Sequence, residues 1–145
     1  WPVGSGGKGN SGVAGIIKNT VGALGYVNQA YVKGKIKAAA IQNKDGNYVK
    51  PTSQNGSAGL AGIKLDAFNT GTDTNPSGAN AYPISTLTWV LAYASGNGEN
   101  TAALKKTFTY MLSNKAQSQA PSLGYVPLPS SIRKVSLAAV QKIGK

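Results

Sequence analysis

The stretch WPVGSGGKGNSGVA, residues 1–14, decides how this 145-residue chain is interpreted. Four glycines surround Ser5 and Lys8, and glycine permits positive φ angles and close backbone approach, so several N–H groups can turn toward one point. Such a loop suits an anion, and a lysine strengthens that interpretation. A nucleotide-type phosphate loop is excluded because Gly9 stands where that motif requires Ser or Thr. The candidate anion-binding residues are Gly4, Ser5, Gly6, Gly7 and Lys8.

An apolar pattern after the loop predicts a helix. Val13, Ile16 and Ile17 fall on one helical face. Asn10 or Ser11 can cap the start of this helix. The alternative role of the loop is therefore a glycine-rich turn that packs a strand closely onto a helix, without any ligand.

The composition predicts a turn-rich protein with a basic surface. Fifteen Lys and Arg residues stand against four Asp and Glu, for a formal net charge of +11, and 19 residues are glycine. The positive electrostatic field of such a protein attracts phosphate, nucleic acid and anionic surfaces. The lysines are scattered, and the only arginine is Arg133. We therefore expect a solvated basic face and no specific nucleic-acid partner.

The inventory of side chains disfavours an enzyme. The chain has no His and no Cys, which removes the usual general base, the thiolate nucleophile and the ligands of most zinc sites. No Asp-x-Asp metal loop is present. A catalytic site formed by a carboxylate pair, Asp45 with Asp73 or Asp66 with Glu99, is an open alternative. The spacing of these residues in the sequence does not support it. We predict no catalytic residue, no metal and no cofactor.

The order of the predicted elements indicates the α/β class. The predicted strands are residues 23–27, 37–42, 48–50 and 87–93, with a hairpin turn at residues 43–47. Further helices are predicted to start near Pro51, after an Asn100 cap, and after a Ser130 or Ser131 cap. The loop at residues 68–80 is the predicted boundary between two parts of the chain.

Four stretches, spread in order over the chain, carry a resemblance to a known family. The first motif is residues 1–14; the second is GALGYVNQAY, residues 22–31; the third is AYPISTLTW, residues 81–89; the fourth is LGYVPLP, residues 123–129. They resemble segments of the periplasmic phosphate-binding family, the PstS-type receptor of the ABC phosphate importer. The second is similar to the family's G-x-I-G-Y-V-E-x-A-Y, and the third to its A-Y-P-I-x-x-x-T-[FYW]. The fourth is similar to its near-terminal motif.

The resemblance implies the C-terminal portion of a two-lobed periplasmic-binding-protein fold of type II. Residues 1–78 would be the later part of the second lobe, and residues 79–145 the crossover and C-terminal return to the first lobe. The family's direct phosphate contacts are Thr and Ser hydroxyls, an Asp, and an Arg followed by Ser-Gly-Thr. None of those motifs occurs in this sequence. The resemblance therefore assigns no phosphate ligand to this chain.

The function implied is phosphate binding and delivery to an importer, by a bacterial protein in the periplasm or outside the cell. The implied partners are inorganic phosphate, the membrane permease and the missing N-terminal part of the receptor. The chain starts on Trp, which fits a processed, cleaved or incompletely observed product. Two rival classes remain. One is a basic secreted structural or surface-assembly protein on the same fold, and the other is an enzyme acting on phosphate esters.

Overall fold

Helices make up most of the regular structure in residues 2–144, which the computed structural model describes. The helices are α1 (Gly9–Asn19), α2 (Ser53–Ala61), α3 (Thr101–Met111), α4 (Asn114–Gln119) and α5 (Ser130–Gln141). The strands are β1 (Ile41–Gln42) and β2 (Tyr48–Val49), and 3-10 turns lie at Gln29–Tyr31, Gly98–Asn100 and Ala120–Leu123. Trp1, which opens the first motif, lies outside the described residues, as does Lys145.

The sheet is a two-stranded antiparallel hairpin. Its registered pairs are Ile41 with Val49 and Gln42 with Tyr48. The predicted hairpin turn is confirmed, because the Asn43 N–H donates to the Asn47 carbonyl at 2.9 Å and Gly46 takes a φ of 83°. The strand predicted at residues 37–42 is confirmed only for its last two residues.

A small apolar core forms where α2 meets the later half of the chain. Its buried members are Leu60, Ile63, Leu87 and Ile132, and Leu65, Val126 and Leu128 pack against them. Two glycines let α2 approach its neighbours closely. A Cβ on Gly56 would lie 2.6 Å from Cγ2 of Val126, and one on Gly59 would lie 2.5 Å from the carbonyl oxygen of Tyr82. Packing therefore holds a glycine-rich helix whose own propensity is low.

The helix starts follow the predictions in part. Thr52 and Ser113 cap α2 and α4 by accepting the backbone N–H three residues ahead, at 3.1 and 3.2 Å. Asn100 is the N-cap residue of α3, as predicted, but its side chain makes no capping bond. The predicted serine cap of the last helix is wrong, because Pro129 takes the N-cap position and Ser130 is already helical. No helix found in residues 2–144 has the length and apolar character to cross a bilayer.

Two predicted strands are not formed in the described part of the chain. Residues 23–27 and 87–93, hereafter the unpaired segments, belong to no helix and to no strand. The hairpin is the only sheet in residues 2–144, so neither segment is paired with another strand there. A β-rich sequence does not become a strand without one. The observed architecture is therefore a mixture of helices and one small antiparallel sheet, not a series of alternating paired strands and helices.

Candidate functional site

The predicted anion loop lies at the surface, directly before α1. Its exposed residues are Gly4, Ser5, Gly6 and Lys8, with Gly4 at a φ of 122°. Gly7 is half-buried, and a Cβ on it would lie 2.6 Å from the backbone nitrogen of Val13. The loop thus packs tightly against the first turns of α1, a contact that requires glycine. This contact supports the packing role, and the anion role stays a prediction.

The start of α1 differs from the prediction. Lys8 takes the N-cap position, and no side chain caps the helix. Asn10 lies inside the first turn, where its Oδ1 accepts the backbone N–H of Asn28 at 2.8 Å. The prediction of Asn10 or Ser11 as the cap is wrong because the helix already starts at Gly9. The Asn10 side chain instead joins the first motif to the second.

The second motif packs on α1 and on the fourth motif. A Cβ on Gly25 would lie 2.7 Å from Cδ1 of Ile17, so the backbone of the second motif rests on the apolar face of α1. Gly124 of the fourth motif has a φ of 80°, and a Cβ there would lie 2.5 Å from Cα of Ala30. Gly124 is therefore required for close backbone contact between two motifs far apart in the sequence, whereas Gly25 lets its backbone lie against a side chain of α1.

The third motif is attached to α2. The Tyr82 N–H donates to the Asn55 carbonyl at 3.1 Å, and Ala81 and Pro83 on either side are buried. Burial raises the pKa of the Tyr82 phenol above its usual value. In the fourth motif, the Leu128 N–H donates to Oε1 of Gln117 in α4 at 2.7 Å. The residues that carry the family resemblance thus hold the elements of this chain against one another.

Asn43 is a buried polar residue that the sequence analysis missed. It is 4% exposed, and its Oδ1 accepts the N–H groups of Asp45 and Asn47, both at 3.1 Å. Its Nδ2 donates to the carbonyls of Gly78 at 2.8 Å and Ala81 at 3.2 Å. The turn itself was predicted, and an asparagine that opens a turn commonly bonds the backbone two residues on. The contacts across more than thirty residues had no signal in the sequence.

The loop before the third motif is tied to the same turn by further hydrogen bonds. Oδ2 of Asp45 accepts the Gly78 N–H at 2.7 Å, and the Lys44 N–H donates to Oδ1 of Asn75 at 2.9 Å. Pro76 between them is fully buried. Residues 41–49 and 75–81 therefore form one closed structure, hereafter the hairpin unit.

Asp66 organises a second, exposed loop. Its Oδ1 accepts the N–H groups of Phe68 at 2.8 Å and Thr70 at 2.9 Å, and its Oδ2 accepts the Thr70 hydroxyl at 2.7 Å. The Thr70 hydroxyl, followed by the backbone N–H groups, lowers the pKa of this carboxyl below 3.8. The indole N–H of Trp89 donates to the Asn69 carbonyl at 3.0 Å, which joins this loop to an unpaired segment.

The three aspartates of this chain accept backbone N–H groups in loops. Asp45 and Asp66 do so as described, and Oδ1 of Asp73 accepts the Asn75 N–H at 3.1 Å. Among residues 2–144 no group of three His, Cys, Asp or Glu side chains is placed to hold a metal ion. Two surface grooves of about 440 and 560 Å³ lie beside α3 and α2, and residues 4–8 line neither.

Curated phosphate-binding proteins named PstS are similar to nearly all of this chain. The protein of Methanocaldococcus jannaschii is 32% identical over 162 aligned residues, which include 99% of this chain. Those of Xylella fastidiosa and Pasteurella multocida are 35% and 32% identical and include 92% and 91% of it. The chain spans 42%, 38% and 39% of the lengths of these relatives. No protein-family model matches the sequence.

These relatives confirm the resemblance that the four motifs indicated. The name of these relatives describes binding, not a reaction, and the mixture of helices with a small sheet is compatible with a part of such a binding protein. Over nearly all of its length, the chain is therefore homologous to a part, about two fifths, of the PstS phosphate-binding proteins.

Proposed function

We propose that this chain is the C-terminal part of a receptor that binds inorganic phosphate and delivers it to an ABC importer. The observation that carries the proposal is the similarity of 91–99% of the chain to phosphate-binding proteins named PstS. The contacts among the four motifs support it further, because residues matched at separate places in the sequence also pack together in the structure.

The role of this chain in that receptor is framework and hinge. The side chains best suited to bind an anion lie on different elements: Arg133 is in α5, and Lys8 is in the exposed loop at the start of α1. Phosphate sites need several convergent donors, usually backbone N–H groups, hydroxyls and a guanidinium. The direct contacts therefore come from residues of the receptor outside this chain.

The remaining parts of the proposal concern the whole receptor. It has two lobes, with residues 1–78 in the later part of the second lobe and residues 79–145 forming the crossover and return to the first. It works in the periplasm or at the outer surface of a bacterial cell, where it meets the membrane permease. It is a binding protein and not an enzyme.

The second candidate function is a basic secreted structural or surface-assembly protein on the same fold. The formal charge of +11 favours it, because such a protein would attract anionic polymers. Its signature would be self-assembly of the purified chain at low salt that dissolves as salt screens the charges. Light scattering between about 10 mM and 1 M salt tests this directly.

Calorimetry with inorganic phosphate tests the proposed function. The complete receptor polypeptide that contains these residues is expected to bind phosphate, and the isolated 145-residue chain to bind it at least about a hundredfold more weakly. Lys8→Ala in the complete receptor should leave the affinity within about twofold. Absence of binding by the complete receptor would contradict the proposal. Tight binding by the isolated chain, lost in Lys8→Ala, would move the site to residues 4–8.

A further inference from the structure

We infer that the two unpaired segments, residues 23–27 and 87–93, are strands of sheets that the rest of the receptor completes. Each segment accepts neighbouring strands and apolar side chains from residues outside this chain. The inference rests on the proposed function, since it takes the rest of a phosphate receptor as the partner. It names the surface through which this part of the receptor joins the remainder.

The first unpaired segment is covered on one side only. Ala23 and Val27 are half-buried, and the backbone of Gly25 between them rests on Ile17 of α1. Leu24 is 98% exposed and Tyr26 is 77% exposed. Successive side chains of an extended chain point to opposite faces. The segment therefore has a helix on one face and nothing on the other, as a strand does when the second layer of its sheet is absent.

The second unpaired segment begins in the core and ends in solvent. Leu87 is buried with Leu60 and Ile132, whereas Leu91 is 95% exposed and Tyr93 is 80% exposed. Between Leu87 and Leu91, Trp89 and Val90 are apolar side chains at successive positions, and Thr88 is the polar exception. A strand that is apolar on both faces is typical of the interior of a parallel sheet with helices on either side.

The backbone of both segments also lacks a strand partner. Within residues 2–144, no backbone N–H of residues 24–27 or 87–93 donates to another backbone carbonyl. Apolar side chains beside unpaired backbone N–H groups form the kind of edge that pairs with another chain. The hairpin, in contrast, pairs within itself.

The exposed area of the whole chain shows how large the missing partner is. The accessible surface is 10289 Å². A compact monomer of 14.8 kDa exposes about 7,000 Å², so this chain exposes about 3,300 Å² more than its mass requires. A partner that covered this excess would bury about as much of its own surface, so the total would be about 6,600 Å². Obligate interfaces bury about 2,000–5,000 Å² or more counted over both partners, so the excess is large enough for a permanent association.

One occupant fits both the area and the chemistry. The PstS relatives are more than twice as long as the part that this chain matches, so a receptor of this family has further residues to supply strands. A permanent association within one receptor also explains why both segments are apolar and carry no lysine among the described residues, in a chain of +11 charge. An anionic partner would instead face the lysines. The occupant is therefore the remainder of the same receptor.

Hydrogen exchange read by mass spectrometry tests the inference on the complete receptor, purified as a monomer of known intact mass. The amides of residues 24–27 and 87–93 should exchange at least about a hundredfold more slowly than those of a free strand. Leu91→Lys should speed exchange in residues 87–93 by about tenfold or more. Its matched control is Phe68→Lys, an equally exposed apolar residue in the Asp66 loop, which should leave that exchange unchanged.

Each outcome decides for or against the inference. Slow exchange in both segments of the monomer supports it, and this result does not depend on whether the Leu91→Lys variant folds. Fast exchange in a monomer that binds phosphate by calorimetry overturns the inference and leaves the proposed function standing. Slow exchange without phosphate binding overturns the proposed function alone. Protection that appears only as the protein dimerises, or a natural product of 14.8 kDa, overturns the inference.

Discussion

The hairpin unit buries polar groups, whereas the unpaired segments expose apolar ones. In the hairpin unit, polar groups are buried and paired: the Asn43 side chain alone makes four hydrogen bonds at 4% exposure. In the unpaired segments, apolar groups such as Leu24 and Leu91 are exposed, and within residues 2–144 the backbone N–H groups of residues 24–27 and 87–93 donate to no backbone carbonyl. The hairpin unit has what it needs within this chain, whereas the unpaired segments do not.

This difference separates the part of the molecule that is stabilised by contacts within the chain from the parts that are not. Burying a polar group without a hydrogen bond costs free energy, and exposing a large apolar side chain forgoes the gain from burial. In this chain the hydrogen bonds between residues 41–49 and 75–81 satisfy the first condition. The second needs a second layer of structure, and here that layer is not within residues 2–144. The predictions below probe both sides of this comparison, starting from the largest expected effect.

Leu60→Ala, in the small apolar core that this chain forms by itself, should have the largest effect on the free energy of unfolding. Leu60 is 2% exposed and packs with Ile63, Leu87 and Ile132. Truncating it should lower the free energy of unfolding by about 2–5 kcal/mol, because it leaves a cavity in a small core. Urea denaturation measures the loss. Phe68→Ala, at an exposed loop position, is the control and should change the value by less than about 0.5 kcal/mol.

Asn43→Ala should break the hairpin unit. The substitution leaves the N–H groups of Asp45 and Asn47 and the carbonyls of Gly78 and Ala81 without their partner. We expect a loss of about 2–3 kcal/mol in the free energy of unfolding. Gln42→Ala removes one exposed hydrogen bond in the adjacent strand and should cost less than about 0.5 kcal/mol. Equal losses in the two variants would show that the buried network is not what holds the hairpin unit.

Gly59→Ala should disturb the contact between α2 and the third motif. Its new Cβ would lie 2.5 Å from the Tyr82 carbonyl oxygen and 3.1 Å from Oγ of Ser85, so the backbone has to shift. The expected cost is about 1–3 kcal/mol. Gly62 is the C-cap of the same helix, with a φ of −84° and open space where a Cβ would lie. Gly62→Ala should therefore raise the free energy of unfolding by about 0.4–1 kcal/mol. Thermal melting of both variants gives the comparison, which fails if the two shifts have the same sign.

Thr70→Val should have the smallest effect on stability, because it removes one hydrogen bond to the exposed carboxylate of Asp66. Losing the Thr70 hydroxyl should raise the pKa of Asp66 toward 3.8. A lowered pKa in the folded state means that this stabilisation is present above pH 3.8 and is lost as the pH falls through the folded pKa. Carbon-detected NMR titration of the Asp66 carboxyl measures the change. An unchanged pKa in Thr70→Val would assign the shift to the backbone N–H groups instead.

The sequence predicted the hairpin turn and the approximate starts of α2, α3 and α5, although it placed the caps of α1 and α5 wrongly. The causes of the correct predictions are local, such as the positive φ through which Gly46 closes its turn. The positions of the helices and of the hairpin turn follow from such short-range causes. The strands at residues 23–27 and 87–93 could not be settled, because a strand exists only when another strand lies beside it.

The candidate site shows the same limit. Its glycine-rich composition placed a tight loop before a helix correctly, but composition alone left both a ligand role and a packing role open. The close contact between Gly7 and Val13 depends on how the loop folds back onto α1, and the amino-acid composition of the loop does not predict that. Asn43 was missed for the same reason, since its Nδ2 reaches the carbonyls of residues 78 and 81.

The most direct test of the account is the free energy of unfolding of the complete receptor carrying Leu91→Ala. Leu91 is 95% exposed in this chain, so truncation would cost less than about 0.5 kcal/mol if the chain stood alone. If the remainder of the receptor covers residues 87–93, the loss should reach about 2–5 kcal/mol, the same range as for Leu60→Ala. A loss below about 0.5 kcal/mol in the complete receptor would contradict the account.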